Sequence, residues 1–455
     1  MRLGLITAIR EDIDSPLEFF FKRYMANLGP LYLAGYLEKL GSSIEIKVKD
    51  RFEDFRDWHP EILGISSVTE NIEFARQVAR RAKEGWNPLT ILGGVHITSM
   101  PQTLPPEIDI GVVGEGEETL RDLIHLFQVK GVGLHFADLK NIPGIVFHSP
   151  EGLIQTPIRK GIANLDTIPF PAREKYVKEI GGTYMMTSRG CPYTCDFCVI
   201  PQVVEGYRKN SPEYVLEEIK SIKLNYPSVK HIRIYDDLYI VDKKRVQKIA
   251  ELVDAQGLSQ ILSFGCWGRA NLIDEEMVET FKKMNMAYVA FGAESGSSKV
   301  MSSIKPGCSV EENQRAIDCL ADNGIRASCS FIMGHPRETE QDLWETYKFI
   351  DKNFDKLFEI EFNVAIPWPG TELWRYASQK GLVSDRMNFE KLKECAYFPN
   401  YSTDTHPYLN NWIPPYRFEE IMVDFKKLFK KMAKKLNDSN IFKEVLPGGE
   451  IPKYF

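Results

Sequence analysis

The sequence predicts an α/β protein in which a Rossmann-like, doubly wound sheet is followed by a partial (β/α)6 barrel and a mostly helical carboxyl-terminal cap. Short apolar strands alternate with amphipathic helices over residues 1–134 and again over residues 183–375. This order of elements is typical of parallel sheets that helices cover. A proline-rich stretch separates the two series, and one long amphipathic pattern follows residue 375.

The composition excludes several classes of protein. Hydrophobic residues make up 43% of the 455 residues, which is enough for a buried core and argues against global disorder. With 57 basic and 63 acidic residues the net charge is −6, so a nucleic-acid-coating protein is not expected. No apolar run approaches the roughly 18–20 residues that a membrane span needs. The amino terminus turns acidic too early for a signal peptide, so we expect a soluble protein of the cytoplasm.

The first series predicts strands over residues 3–8, 44–49, 62–67, 89–92 and 110–113, with helices over 31–40, 72–83 and 117–127. Ligands of such sheets bind beyond the carboxyl ends of the strands. Three loops fall there, and each is either an ordinary turn or part of a binding site. The candidate binding residues in them are Ser66, Ser67, Val68, Thr69, Gly93, Gly94, Val95, His96, Gly114, Glu115, Gly116 and Glu117.

Residues 135–182 are predicted to link the two series through a hairpin over 144–156 and a proline-stiffened stretch over 165–171. The second series predicts strands over 184–187, 231–235, 262–267, 288–292, 326–333 and 359–365. Helices are predicted between them over 212–225, 243–255, 275–284, 311–323 and 340–353. Six such units in about 190 residues fit a partial barrel, because a complete one needs eight.

The eight cysteines are unevenly distributed. None precedes residue 191, and Cys191, Cys195 and Cys198 lie within eight residues, on the loop after the first barrel strand. Structural zinc normally takes four ligands, and no further pair with zinc-finger spacing follows. Three thiolates on a four-iron cluster leave one iron open. Of the other cysteines, Cys266 and Cys329 lie in predicted strands and either pack or point into the barrel.

The Cys-x3-Cys-x2-Cys motif, with an aromatic residue before its last cysteine, resembles that of the radical S-adenosylmethionine (SAM) superfamily. Strand ends at residues 235–238, 268–271, 291–297, 331–339 and 366–371 resemble the family's motifs in the same order, although His335 and Arg337 depart from the usual fifth-strand motif. The resemblance implies a 4Fe-4S cluster on the three cysteines, with SAM on its open iron. It also implies SAM contacts from Tyr193, Phe197, Asp236, Asp237, Arg269, Glu294, Ser295 and Met333. For Arg269 and Glu294 a structural salt bridge is the alternative.

The amino-terminal series resembles the cobalamin (B12)-binding domain of one subgroup of that superfamily. The similarity lies in residues 28–37, in the loops at 66–69 and 114–117, and in the glycine pair at 93–94. The family's cobalt-binding Asp-x-His-x-x-Gly motif is missing, because residues 8–28 contain no histidine and His59 stands in the wrong place. The resemblance therefore implies a base-off, His-off cobalamin. The alternative is a vestigial Rossmann-like domain that does not bind cobalamin.

The resemblance implies a class B radical SAM methyltransferase-like enzyme, which methylates an unactivated carbon or phosphorus centre through a 5′-deoxyadenosyl radical and methylcobalamin. Two alternatives stay open: a radical cyclase, oxidase or rearrangement enzyme in which cobalamin is absent or donates no methyl group, and a non-catalytic iron–sulfur redox protein. The expected partners are a small-molecule, lipid-like or peptidyl substrate and a low-potential electron donor such as flavodoxin or ferredoxin. The enzyme would be oxygen-sensitive.

Residues 376–455 are predicted to form the cap. Tyr397, Phe398, Tyr401 and Tyr408 either line the barrel mouth or dock the tail. Residues 418–436 predict a helix with one apolar stripe and a lysine-rich opposite face. Packing of the stripe on the core is the main prediction, and peripheral contact with a membrane surface is the alternative.

Overall fold

A computed structural model of the chain describes residues 1–8, 27–41, 44–133, 135–178, 183–392, 401–404 and 406–438. Its first sheet has seven strands in the order β2-β1-β3-β4-β5-β6-β7. They are β1 (Arg2–Thr7), β2 (Glu45–Lys49), β3 (Ile62–Ser66), β4 (Leu89–Gly93), β5 (Ile110–Val112), β6 (Ile145–Ser149) and β7 (Gly152–Gln155). The first five strands are parallel, which confirms the predicted doubly wound sheet. The predicted hairpin forms β6 and β7, and it extends this sheet through an antiparallel pairing of β6 with β5.

The helices of the first unit are α1 (Leu28–Lys39), α2 (Ile72–Gly85), α3 (Val95–Ser99), α4 (Gly116–Lys130), α5 (Phe136–Leu139) and α6 (Arg173–Tyr176). In α2 the buried residues recur at the spacing of one helix face, namely Ile72, Ala75, Val78, Ala79 and Ala82. Its opposite face carries arginines, of which Arg76 and Arg80 pair with Glu107. The helices therefore cover the sheet with apolar faces and leave the ends of its strands to the loops.

The second sheet has six parallel strands in the order β15-β14-β13-β12-β11-β8. They are β8 (Thr183–Met185), β11 (His231–Ile234), β12 (Ser263–Trp267), β13 (Met286–Glu294), β14 (Arg326–Met333) and β15 (Leu357–Val364). A short antiparallel pair, β9 (Ser188–Arg189) and β10 (Arg208–Lys209), flanks them. Six parallel strands confirm the predicted partial barrel.

The helices of the second unit are α7 (Ile200–Val203), α8 (Pro212–Asn225), α9 (Lys243–Ala255), α10 (Glu275–Met284), α11 (Ser298–Ile304), α12 (Val310–Asp322), α13 (Glu340–Asn353), α14 (Glu372–Gln379) and α15 (Pro415–Asp438). Many of them begin at a side chain that accepts a hydrogen bond from the first turn, which defines where the helix starts. These capping residues are Ser211, Asp242, Asp274, Ser309, Thr339 and Thr371. Each of these helices therefore begins at a defined residue after the preceding strand.

Cys266 and Cys329 do not face the barrel interior. Both are buried in the hydrophobic core, two residues along their strands from the buried Phe264 and Phe331. Since residues two apart on a strand share a face, these cysteines face the surrounding helices. They pack rather than point into the barrel.

The long helix α15 packs its apolar stripe on the barrel, as predicted. The Phe425 ring lies 5.6 Å from the rings of both Tyr347 and Phe362. On the lysine-rich face, the Lys435 ammonium donates hydrogen bonds to backbone carbonyls at the end of α13 and start of β15. No helix in the described residues is long and apolar enough to cross a membrane.

Part of the predicted aromatic cap is described. Tyr401 and Tyr408 pack against Phe418, with ring centroids 6.1 and 5.2 Å apart. They therefore dock the tail on the barrel. Cys395, Tyr397 and Phe398 lie outside the described residues.

Candidate functional site

The three clustered cysteines share one loop at the carboxyl end of the second sheet. Cys191, Cys195 and Cys198 are half-buried free thiols. Arg269, which is only 4% exposed, lies beside them, with its Nη1 atom 3.5 Å from the Sγ atom of Cys195. Its guanidinium also covers the ring of Tyr193, 3.9 Å from the centroid. A fixed positive charge beside thiols favours the thiolate form that iron requires.

The thiols themselves are not arranged as a finished ligand set. Burial raises the pKa of Cys191, and burial together with the neighbouring thiols raises the pKa of Cys198 to about 11. In the described part of the chain, no three His, Cys, Asp or Glu side chains are placed to hold a metal ion. Metal ligation requires deprotonated thiols and commonly organises the site that it occupies. The donor set and Arg269 fit a cluster held by three cysteines, which the iron itself would draw together.

Two aspartates at the end of β11 hold the start of this loop. The carboxylate of Asp236 is fully buried and accepts hydrogen bonds from the Thr187 amide (2.5 Å), the Thr187 hydroxyl (2.6 Å) and the Ser188 hydroxyl (2.6 Å). Burial raises the pKa of Asp236, while the charge of Arg245 opposes that shift. The neighbouring Asp237 accepts a hydrogen bond from the Gly190 amide at 2.8 Å.

Gly190, directly before the first cysteine, must be glycine. Its φ angle of +83° is unfavourable for other residues. A Cβ atom at this position would lie 1.9 Å from the carbonyl oxygen of Gly206. The chain therefore enters the cysteine loop through a turn that a side chain would block.

The end of β13 places Glu294 and Ser295 inside the protein. Glu294 has a φ angle of +58°, and its Oε1 atom lies 3.0 Å from the Nζ atom of Lys305. The Ser295 hydroxyl lies 3.0 Å from that of Thr346. The salt bridge considered as the alternative for Glu294 is therefore present, with Lys305 as its partner. Contacts of either residue with SAM stay a prediction.

Two of the remaining predicted SAM contacts lie in the cysteine loop itself, and the third lies at the end of β14. Phe197 and Tyr193 are partly buried against the core, and Met333 is fully buried at the end of β14. The contacts of these three residues with SAM stay predictions.

Sequence reasoning missed a contact that ties β14 to the cysteine loop. The Nε2 atom of the buried His335 lies 2.9 Å from a carboxylate oxygen of Asp196, which stands between two of the cysteines. Asn410 of the tail donates hydrogen bonds to the carbonyls of His335 and Glu338, both at 2.7 Å. The departure of His335 from the usual motif was the available signal. It links the cysteine loop, the barrel and the tail.

A cavity of about 300 Å³ lies at the carboxyl ends of β1, β3, β4 and β5. Seven of the predicted binding residues line it, namely Ser66, Gly93, Gly94, Gly114, Glu115, Gly116 and Glu117. The rest of its wall is largely apolar and includes Leu5, Ile6 and Val112. Cβ atoms built on the lining residues Gly29, Gly93 and Gly114 would meet no protein atom within 4 Å. Gly93 and Gly114 keep open space at the strand ends and Gly29 keeps it at the start of α1, which suits one edge of a large, flat cofactor such as a corrin.

The other five predicted residues, Ser67, Val68, Thr69, Val95 and His96, do not line this cavity. His96 is buried behind it, where its ring nitrogens lie 3.2 and 3.1 Å from the hydroxyls of Thr69 and Thr103. Burial lowers the pKa of His96 to about 4, so the ring is neutral at physiological pH. His96 therefore stabilises the loop through these two contacts and does not line the cavity.

One arginine connects the cavity to the cysteine loop. Arg189 lines the cavity together with Met186, and its guanidinium pairs with Glu115 (3.3 Å) and Glu117 (2.5 Å) at the start of α4. Arg208 also pairs with Glu115. Burial raises the pKa of Glu115, but the hydrogen bond from Arg208 and the charge of Arg189 outweigh it and lower the pKa. The two units thus meet through a charged network that ends two residues before Cys191.

Comparison with known proteins supplies the family. A model of the radical SAM superfamily matches residues 185–350, and a model of the B12 binding domain matches residues 21–124. An uncharacterized methyltransferase of Pyrococcus horikoshii is 31% identical over 83% of this chain and 84% of its own length. The anaerobic magnesium-protoporphyrin IX monomethyl ester cyclase of Rubrivivax gelatinosus is 30% identical over 79% of this chain and 67% of its own.

Solved structures share the fold. The radical SAM methyltransferase TsrM from Kitasatospora setae, with cobalamin and a 4Fe-4S cluster bound, matches 83% of this chain and 78% of its own with a TM-score of 0.67 and 17% identity. The cobalamin-dependent radical SAM enzyme OxsB, with aqua-cobalamin and SAM bound, matches 94% of this chain and 61% of its own with a TM-score of 0.65 and 19% identity. Both units therefore have the fold of cobalamin-dependent radical SAM enzymes.

Proposed function

This chain belongs to the radical SAM superfamily, in the subgroup that carries a B12-binding domain, and from that membership we propose that it is a cobalamin-dependent methyltransferase. Its acceptor would be an unactivated carbon or phosphorus centre of a small molecule. An electron donor of low potential, such as flavodoxin or ferredoxin, would reduce the cluster. Free cysteines and an oxygen-sensitive cluster suit the reducing cytoplasm.

One observation carries this proposal. The cavity at the strand ends of the first sheet is walled by Met186 and Arg189, and the same segment continues directly into Cys191. A reaction that uses both cobalamin and SAM needs their two sites side by side, because the transferred group must reach the reacting centre. The contact between cavity wall and cysteine loop supports such a reaction.

The chain's own residues would hold and shield these groups. The cysteines bind the cluster, Arg269 keeps a positive charge beside Cys195, and Tyr193, Phe197 and Met333 pack around SAM. When bound, the cluster with SAM supplies the 5′-deoxyadenosyl radical and cobalamin supplies the methyl group. We propose that Asp236, Asp237, Glu294 and Ser295 act mainly by fixing the strand-end loops, since their side chains already hydrogen-bond or pair within the protein. The largely apolar part of the cavity wall would keep water away from a bound cofactor.

A radical cyclisation is the second candidate. It is favoured by relatives named as magnesium-protoporphyrin IX monomethyl ester cyclases, two of which are 30% and 27% identical to this chain. The two functions differ in the fate of SAM. A methyltransferase produces S-adenosylhomocysteine as it loads the corrinoid, whereas a cyclase that donates no methyl group yields 5′-deoxyadenosine alone.

The first experiment counts cofactors. The protein is purified without oxygen, its cluster is rebuilt, hydroxocobalamin is added, and bound corrinoid and iron are measured after desalting. We expect about one corrinoid and about four irons per chain. We also expect the base-off, His-off spectrum that the family resemblance implies, and no histidine is among the described residues that line the cavity. Four irons without corrinoid would contradict a role for cobalamin.

A matched pair of variants locates the corrinoid. Gly93→Leu places a side chain in the open part of the cavity, whereas Gly85→Leu adds the same side chain at the end of α2, where a Cβ atom also meets nothing within 4 Å. We expect Gly93→Leu to lose corrinoid and keep its iron, and Gly85→Leu to keep both. Equal corrinoid in the two variants would move the site elsewhere.

A turnover test needs no substrate. The loaded enzyme is reduced and mixed with SAM, and its nucleoside products are quantified. Methyl transfer predicts S-adenosylhomocysteine in an amount that follows the bound corrinoid, and Gly93→Leu should abolish it. Release of 5′-deoxyadenosine alone would favour the cyclase-like function.

A further inference from the structure

The second sheet has two chemically different faces. On β11, Ile232 and Ile234 are fully buried among the outer helices, whereas the alternating His231 and Arg233 are half-buried on the other face. Alternation along a strand assigns each set to one face. The inner face therefore carries polar and aromatic side chains. Tyr235 at its edge is 48% exposed, which shows that this interior is open to solvent.

Arg233 lies at the centre of an aromatic cage on that inner face. Its guanidinium carbon is 5.2 Å from the ring of Trp267, 5.4 Å from Tyr235, 5.7 Å from Tyr288 and 6.0 Å from Tyr184. These rings come from four strands, β8, β12, β13 and the end of β11 itself. Cation–π contacts stabilise the guanidinium without neutralising its charge.

A glycine makes room for the cage. A Cβ atom on Gly265 would lie 2.3 Å from the ring of Tyr288. That ring stacks on His231 with centroids 5.5 Å apart, and the Nδ1 atom of His231 lies 2.9 Å from the Ser263 hydroxyl. Burial lowers the pKa of His231 to about 4, and the charge of Arg233 adds to this, so His231 brings no second positive charge.

Arg233 forms no close ion pair in the part of the chain that the structure describes. Its guanidinium hydrogen-bonds with Tyr184, the charge of Glu359 acts on it from a greater distance, and its buried Nε atom has no hydrogen-bond partner. Such a group in a partly dry interior is costly unless an anion completes it. The cage therefore holds a cation in a site that an external anion can enter.

Two carboxylates on β15 oppose this cation across the barrel. Glu359 accepts a hydrogen bond from the Ser328 hydroxyl at 2.5 Å, and Glu361 follows on the same face. Burial raises the pKa of Glu361, the charge of Glu359 raises it further, and Arg233 lowers it. The interior is thus positive at β11 and negative at β15.

Arg233 stands one residue before Ile234, the last residue of β11, and three residues before Asp236. At about 3.3 Å per residue, Arg233 therefore lies roughly 10 Å before Asp236 along the strand direction. The cysteine loop and Arg269 stand at the strand ends. None of the four cage residues is a predicted SAM contact, so a group bound by Arg233 is assigned to the substrate and not to SAM.

We propose that Arg233 and its aromatic cage form the substrate-recognition site of the barrel, and that the substrate presents one carboxylate to Arg233. The opposing Glu359 and Glu361 would repel a second anionic group, so the rest of the substrate is neutral or cationic. This inference rests on the proposed function, since it assigns the substrate class of the same enzyme. It makes Arg233 a specificity-determining residue.

The test measures binding of matched probes to the loaded enzyme by anaerobic equilibrium dialysis. The probes are 3-phenylpropionate, its neutral amide 3-phenylpropanamide, and the dianion phenylsuccinate. We expect the carboxylate to bind at least about tenfold more tightly than the amide, as one charge-assisted hydrogen-bonded pair provides. The dianion should bind more weakly than the monoanion.

Four variants distinguish a loss of substrate recognition from misfolding of the protein. Arg233→Gln should remove the preference for the carboxylate, and Arg233→Lys should keep part of it. Glu361→Gln should leave the monoanion bound at least as tightly and strengthen the dianion, which is a gain that misfolding would not produce. Arg315→Gln, on the exposed face of α12, should match the natural protein. Iron content and SAM binding are measured for each variant to show that the cluster site is intact.

The outcomes separate this inference from the proposed function. Equal binding of carboxylate and amide by the natural protein, including no binding of either, would overturn the inference. So would an unchanged preference in Arg233→Gln. A carboxylate preference without any S-adenosylhomocysteine would overturn methyl transfer and leave the anion site standing. Formation of S-adenosylhomocysteine without a carboxylate preference would overturn the anion site and leave methyl transfer standing.

Discussion

Removal of the Asp236 carboxylate should release the cysteine loop. Asp236 is 1% exposed, and it accepts three hydrogen bonds of 2.5–2.6 Å from Thr187 and Ser188, just before the cysteines. A hydrogen bond to a charged acceptor contributes about 1.5–3 kcal/mol, so three give roughly 4–9 kcal/mol before the burial of the charge is counted. Burial raises the pKa of Asp236, which shows that part of this gain is offset. For Asp236→Ala we expect a net loss of about 3 kcal/mol.

The expected result is a loss of iron. Without the carboxylate, the Thr187 amide is left buried without an acceptor and the loop start is free to move, so iron per chain after cluster rebuilding should fall by more than half. Asp236→Asn keeps an oxygen for that amide and offers its NH2 group to the two hydroxyls, so it should retain most of the iron. Asp254→Ala is the control, since among the contacts described the exposed side-chain carboxylate of Asp254 in α9 accepts a hydrogen bond only from the Ser259 hydroxyl.

The assay combines iron analysis, thermal unfolding and a SAM-binding titration under anaerobic conditions. If Asp236 anchors the loop, iron content and the melting temperature fall together in Asp236→Ala, and SAM binding falls with them. If Asp236→Ala instead keeps its iron and its melting temperature and loses only SAM affinity, the carboxylate contacts SAM directly. That result would refute the anchoring argument.

Three further predictions test other parts of the fold. Gly190→Ala should lose iron, because its Cβ atom would meet the carbonyl of Gly206, whereas Gly206→Ala meets nothing and should cost only about 1–2 kcal/mol; iron analysis distinguishes them. Burial raises the pKa of Glu338 to about 8, so the stability from its protonated form is present below the unfolded pKa and lost as the pH rises through 8. Glu338→Gln should remove up to about 1.4 kcal/mol per pH unit of this dependence and melt higher than the natural protein at pH 9; equal pH profiles would contradict this. Phe425→Ala should destabilise the barrel by about 3–5 kcal/mol in urea unfolding, whereas Val423→Ala, which is 52% exposed, should change it little.

The positions of strand ends were predictable from the sequence. Alternating apolar runs and helix patterns placed both parallel sheets, and the carboxyl ends of parallel strands share one edge. The glycines at 93–94 and the residues at 114–117 accordingly line one cavity at that edge, while their contacts with cobalamin stay a prediction. The cysteine spacing likewise predicted which loop would bind a cluster, without any knowledge of packing. These features depend on short-range patterns, which can be read from a single sequence.

The partners of the polar side chains were not predictable. Asp236 turns back to Thr187, 49 residues earlier, and Glu294 pairs with Lys305 on a following element. His96 likewise turns away from the cavity toward Thr69 and Thr103. An aspartate, glutamate or histidine at a strand end can face a ligand or the loops behind it, and both choices satisfy its hydrogen bonds. Only the three-dimensional packing decides between them.

One short segment of the chain connects the first-sheet cavity to the cysteine loop. Met186 and Arg189 wall the first-sheet cavity, Thr187 and Ser188 are held by Asp236 of the barrel, and Cys191 follows. Arg189 is in turn fixed by Glu115 and Glu117 at the start of α4, so the position of that helix is transmitted to the cysteine loop. Since buried ion pairs are costly to break on one side only, the two units cannot shift independently at this point. If a corrin occupies the cavity as proposed, its contact with α4 would therefore also act on the loop that carries the three cysteines.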